Sequence, residues 1–214
     1  MKLIGVYNYT VILTYMSLIS GLFGMKLASD LKFGAAIICL AISGICDLFD
    51  GTVARTKKNR TDDEKNFGIQ LDSLCDVICF GVFPAVFLYY RGLNTVVGLI
   101  ILALYVLFAV IRLAFFNVLE AKRQASGETG SVKRFRGLPV TTASISFPFF
   151  YVVGLALPYD VMTIVYYVLT AVTGFLFVLD IPVPKLDVSR LLRKSAAPAE
   201  QTEAEEQTAI HETV

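Results

Sequence analysis

Residues 47–76 read DLFDGTVARTKKNRTDDEKNFGIQLDSLCD and place four carboxylates, Asp47, Asp50, Asp72 and Asp76, at the inner ends of two apolar runs. Residues three or four apart on a helix share a face, so Asp47 pairs with Asp50 and Asp72 with Asp76. If the two helices pack as neighbours, the four acids converge. Fourteen residues (33–46) lead into the first pair and fourteen (77–90) follow the second. At 1.5 Å per residue each run is roughly 21 Å long, short of the roughly 30 Å hydrocarbon core. Both pairs are therefore expected at one depth, below the inner membrane surface.

Four carboxylates in a low-dielectric setting repel one another, and each is costly to bury unless a cation neutralises it. A divalent metal site follows. An all-oxygen ligand set without His or Cys favours Mg²⁺ or Mn²⁺, and four acids suffice for a two-metal centre. A single acid at a helix end is often only an interfacial cap. Two spaced pairs at one depth, interleaved with Gly51, Ala54, Arg55 and Gly68, go beyond that. Cys75 and Cys79 lie one helical turn apart, but with no histidine nearby they read as small apolar fillers and not as thiolate ligands.

The chain has 214 residues, of which 56% are hydrophobic and 17% charged, with a mean hydropathy of +0.66. That is the composition of a polytopic membrane protein, and no cleaved signal peptide is evident. The fold expected is all-α, with six transmembrane helices near residues 9–27, 33–46, 70–90, 95–118, 138–157 and 161–179. A short interfacial segment precedes them, in which Asn8 caps the first helix or reaches a headgroup. The second helix should continue inward through Ala54. Residues 56–66 are wholly polar and read as a loop in water, 120–137 as a basic loop, and Pro84 as a kink. Residues 1–194 form the membrane domain, and 195–214 read as a disordered acidic tail.

With six spans and both ends inside, the inner side carries Lys2, Arg55, Lys57, Lys58, Arg60, Lys65, Lys122, Arg123, Lys133, Arg134 and Arg136, then Lys185, Arg190, Arg193 and Lys194. The outer side carries only Lys26, Lys32 and Arg91. This asymmetry places the acidic centre and both termini on the cytoplasmic side of the cell membrane. Cations held at such a boundary suit a diphosphate whose tail lies in lipid. Gly51 allows close approach, and Arg55 can fork onto phosphate or a base edge.

The pattern Asp47-x-x-Asp50-Gly51-x-x-Ala54-Arg55 with Gly68-x-x-x-Asp72-x-x-x-Asp76 resembles the signature of the CDP-alcohol phosphatidyltransferases, six-helix membrane enzymes. Residues 67–85 (FGIQLDSLCDVICFGVFPA), 112–117 (RLAFFN) and 135–143 (FRGLPVTTA) are similar to its membrane-integral CDP-diacylglycerol–serine O-phosphatidyltransferase class. The resemblance covers roughly residues 8–179. It implies phosphatidyl transfer from CDP-diacylglycerol to L-serine with release of CMP, and two divalent metals per subunit held by Asp47, Asp50, Asp72 and Asp76. It also implies Asp76 as base, and Gly51, Arg55 and Thr61 on the CDP moiety. Twelve residues separate Arg55 from Gly68 where the commoner pattern has eight, so the loop bearing Thr61 departs from the family's.

For the serine carboxylate the cationic candidates are Arg112, Lys133, Arg134 and Arg136. Arg112 lies roughly 26 Å down its helix, too deep for a simple positive-inside charge. The partners expected are the two substrates, membrane lipids and a second copy in a homodimer, with no nucleic acid. Within the same chemistry, glycerol 3-phosphate or an inositol phosphate is the competing acceptor. From another class, a divalent-cation transporter would also place acids within the membrane. It would need polar residues in the outer helix halves, and 33–46 and 77–90 carry no charge there.

Overall fold

The computed structural model describes residues 5–57, 59–126, 134–180 and 182–184. Residues 1–4, Lys133 and the tail 195–214 lie outside them. Of Arg55, Arg134 and Arg136 only the backbone is described.

A 3₁₀ turn (Tyr9–Val11) leads into α1 (Ile12–Ser29), and α2 (Phe33–Thr56) returns beside it. Asn8 caps the 3₁₀ turn, its Oδ1 accepting from the Thr10 amide at 3.1 Å and from the Thr10 hydroxyl. Next come α3 (Asp62–Asp76), a π-helical segment (Val77–Val82) and α4 (Phe83–Tyr90), which form one unbroken rod. The long α5 (Val96–Ala125) is followed by β1 (Arg134–Arg136), a 3₁₀ turn (Val140–Thr142), α6 (Ala143–Gly154), α7 (Tyr159–Val178) and β2 (Pro182–Pro184). Five of these segments are long and apolar enough to cross a membrane, and Val140–Gly154 is a shorter apolar helix. The chain is thus a polytopic, almost wholly helical membrane protein.

The burial pattern is inverted relative to a soluble bundle. On α1 the inward residues are Thr14, Ser17, Gly21, Gly24 and Ala28, while Ile12, Met16, Ile19, Leu22 and Phe23 face outward. Small inward side chains let helices approach closely where lipid gives no hydrophobic drive for their association. Ser17 and Ser43 lock α1 to α2 reciprocally, each hydroxyl donating to the other residue's carbonyl (3.1 and 2.9 Å). A Cβ on Gly44 would run into Ser144, so α2 and α6 touch through the bare backbone there. Phe80, Phe83, Phe87, Tyr105, Phe147 and Phe177 fill the centre.

Three sequence boundaries require correction. The polar stretch 56–66 is not all loop: α3 begins at Asp62, because Thr61 and Glu64 form a capping box (Thr61 Oγ1 from the Glu64 amide 3.2 Å, Glu64 Oε2 from the Thr61 amide 3.3 Å). α5 runs on to Ala125, so Glu120 and Arg123 are helical, joined as an (i, i+3) ion pair. The ribbon of β1 on β2, with Phe135 opposite Val183, was not anticipated.

Pro84 sits within the α3–α4 rod, where it has no N–H to offer the carbonyl of Phe80. Instead the Tyr105 hydroxyl, from α5, donates to that carbonyl at 2.7 Å. The π segment absorbs the mismatch between Asp76 and Pro84 without breaking the rod.

Candidate metal and nucleotide centre

α2 carries Asp47 and Asp50 inward on successive turns, and α3 carries Asp72 and Asp76 on the opposing face. Asp47, Asp50 and Asp72 offer carboxylate oxygens all within 4.8 Å of one another. Oxygens that share one hard divalent cation stand no more than about 5 Å apart, so these three carboxylates could hold such an ion. Asp76 lies deepest, only 9% exposed, with its carboxyl against that of Asp47, while Asp72 contacts Asp50. Acid-on-acid contacts of this kind call for a shared positive charge.

Thr14 of α1 donates its hydroxyl to Asp50 Oδ2 (3.1 Å), and the buried Ser73 donates to Asn117 Oδ1 (2.9 Å), tying the α3 acids to α5. Beyond Asp76, further along the rod, the interior is filled by Cys79, Phe80 and Phe83, none of them exposed. Cys75 and Cys79 are free, and the Cys79 thiol meets Ser17, not a metal ligand.

A cavity of about 390 Å³ opens beside the acids. Asp50, Gly51, Ala54, Gly68 and Asp72 line it, five of the eight signature positions, joined by Thr14, Arg60, Lys65 and the Glu120–Arg123 pair. At Gly68 a Cβ would come within 2.7 Å of the Arg60 guanidinium, so a larger residue there would displace the end of that side chain. Arg60 Nη2 donates to the Glu64 carbonyl (3.1 Å), whereas its Nε is buried with no hydrogen-bond partner. Thr61 is committed to the helix cap and is not among the residues lining the cavity. Arg55 is on the last turn of α2.

Arg112 stands apart from this cavity, on α5. The charges acting on it are those of Asp76 and Asp47, its Cζ lies 5.5 Å from the Phe116 ring, and its Nε is buried without a partner. The residues not foreseen as site residues are Thr14, Arg60, Lys65, Glu120 and Arg123. Thr14 had no local signal, since only packing brings α1 to Asp50. Arg60 and Lys65 were visible only as loop charges, in a segment whose spacing departs from the usual.

Comparison with known proteins agrees with this geometry. The profile of the CDP-alcohol phosphatidyltransferase family matches residues 7–179. The chain is 36% identical over 148 residues to an archaetidylserine synthase of Methanothermobacter thermautotrophicus, covering 67% of this chain and 57% of that protein. It is 36% identical over 141 residues to a CDP-diacylglycerol–serine O-phosphatidyltransferase of Helicobacter pylori (65% and 55%). A protein of the same name from Saccharomyces cerevisiae is 42% identical over 100 residues (46% and 35%). The chain thus spans about half the length, or less, of the curated relatives it matches. With the acid cluster, the glycine-lined cavity and the family profile falling on the same residues, the chain belongs to the CDP-alcohol phosphatidyltransferase family.

Proposed function

We propose that this protein transfers the phosphatidyl group of CDP-diacylglycerol to the hydroxyl of L-serine, giving phosphatidylserine and CMP. The observation that carries it is the convergence of Asp47, Asp50 and Asp72 beside a cavity edged by Gly51, Gly68 and cationic side chains. The serine assignment draws on the printed names of the relatives.

When bound, Mg²⁺ or Mn²⁺, two per subunit on the four Asp, neutralises the diphosphate oxygens and the charge that builds on the leaving phosphate. Gly51 and Arg55 hold the CDP moiety. Arg60 and Lys65 line the same cavity and add positive charge over it. Asp76 accepts the proton of the serine hydroxyl. The serine oxygen then bonds to the phosphorus that bears diacylglycerol. The bond from that phosphorus to the bridging oxygen breaks, and its electron pair leaves with CMP. Arg112 receives the serine carboxylate, while Lys133, Arg134 and Arg136 offer further positive charge near the inner surface.

The asymmetry of basic residues supports a cytoplasmic active site with both termini on that side. The outward apolar faces leave room for a homodimer within the lipid. The test is an acceptor screen: purified protein with CDP-diacylglycerol, Mn²⁺ and labelled serine, glycerol 3-phosphate or inositol phosphate. Phosphatidylserine and CMP in equal amounts are expected. Product from another acceptor alone would overturn the serine assignment.

A further inference from the structure

Three hydroxyls spaced three residues apart on α1, those of Thr14, Ser17 and Ser20, fasten it to α2. Ser20 donates to the Cys39 carbonyl (2.9 Å), and Ser17 exchanges bonds with Ser43 (3.1 and 2.9 Å). Those contacts join helix to helix and touch no acid. The third differs: the Thr14 hydroxyl donates to Asp50 Oδ2 at 3.1 Å, so the row ends on one of the three converging carboxylates. Helical Ser and Thr hydroxyls commonly turn back to a carbonyl of the preceding turn. Thr163 and Thr170 of α7 do so, onto Tyr159 and Tyr166. Thr14, only 6% exposed, instead reaches across to a neighbouring helix, and it also lines the cavity beside Asp50 and Asp72.

An aspartate carboxylate turns easily about its last torsion, whose preferences are broad. Acids that share an ion bind it well only when each is held facing it, which is the task of the hydrogen-bond partners behind them. Thr14 suits that task. Its branched Cβ restricts the first side-chain torsion, so the hydroxyl is a stiff donor. The Ser17–Ser43 exchange, one turn along, sets the height of α1 against α2. We propose that Thr14 is a positioning residue of the metal centre: by holding Oδ2 of Asp50 it fixes how that carboxylate faces an ion shared with Asp47 and Asp72. The inference rests on the metal reading above. It adds α1, a helix without a single acid of its own, to what builds the centre.

The test uses the full chain stripped of metal, with Mn²⁺ alone as the probe and binding followed by electron paramagnetic resonance. Thr14→Val keeps the shape and removes the donor, Thr14→Ser keeps the donor, and Ser20→Ala breaks another contact of the same row without touching an acid. Thr14→Val should weaken Mn²⁺ binding about 10- to 100-fold, the usual loss when a ligand's hydrogen-bond partner is removed. Thr14→Ser should stay within about threefold of the unaltered protein, and Ser20→Ala within about twofold. Excess Mn²⁺ should restore most of the CMP release of Thr14→Val. If that variant does not yield monodisperse protein, Thr14→Ala carries the same expectation. Unchanged Mn²⁺ affinity without the Thr14 hydroxyl, an equal loss in Ser20→Ala, or a raised CDP-diacylglycerol KM that excess Mn²⁺ does not repair would each overturn the inference. Failure of the unaltered protein to bind Mn²⁺ would instead overturn the metal reading beneath it.

Discussion

Asp76 differs from its three companions in enclosure: it is buried, only 9% exposed, whereas the other three are partly open. A base shielded from water but pressed against the other acids is suited to take one proton from a bound hydroxyl. Asp76→Asn removes the proton acceptor with almost no change of volume. The expected loss in kcat is about 10²- to 10⁴-fold with the helical circular dichroism intact; near-normal turnover would dismiss Asp76 as base. Arg60→Ala should raise the CDP-diacylglycerol KM by roughly tenfold and leave the serine KM nearly still. Equal movement of both constants would remove Arg60 from the nucleotide cavity. The aspartates were legible because their spacing alone aims them. Thr14 was not, because its bond to Asp50 spans 36 residues of sequence. The cap formed by Thr61 and Glu64 was legible in principle as T-x-x-E, but the density of charge around it read as loop.

At the scale of elements, the rod from Asp62 to Tyr90 depends on a helper from another helix. Pro84 strips the Phe80 carbonyl of its usual donor, and the Tyr105 hydroxyl replaces it from a site 1% exposed. Tyr105→Phe leaves that carbonyl unpaired, at an expected cost of about 1–3 kcal/mol in thermal or denaturant unfolding. In a Pro84→Ala background the alanine N–H can serve the carbonyl, so the same substitution should cost clearly less. Additive losses in the double-mutant cycle would show that Tyr105 and Pro84 are not coupled. The α2–α6 crossing makes a sharper demand. Gly44→Val drives a branched side chain into Ser144 and should cost about 1–3 kcal/mol or prevent assembly, read as loss of monodisperse protein in detergent. A disturbance of the helix at Pro84 could be foreseen, and it takes the form of a π-helical segment within a continuous rod. Its hydrogen-bond partner, and the extension of α5 past residue 118, depend on neighbours that no local pattern encodes.

For the whole molecule, outward rows such as Ile12, Met16, Ile19 and Phe23 on α1 and Val96, Val97 and Ile100 on α5 make sense only against lipid. The order of the helices followed from hydropathy; of the six spans expected, five are long and apolar enough to cross a membrane among the described residues, and Val140–Gly154 is shorter. The run 138–157, expected as a full span, is shorter in the structure, a 3₁₀ turn (Val140–Thr142) leading into a twelve-residue α6 that contains Pro148. The central claim is that acids gathered inside this lipid-facing bundle hold the divalent cations that phosphatidyl transfer requires. It is tested most directly by titrating Mn²⁺ into metal-stripped protein, following bound Mn²⁺ by electron paramagnetic resonance alongside CMP release. Binding and turnover are expected to return together in the unaltered protein and to fail together in Asp50→Asn. Full CMP release from stripped protein in the presence of a chelator would contradict the account.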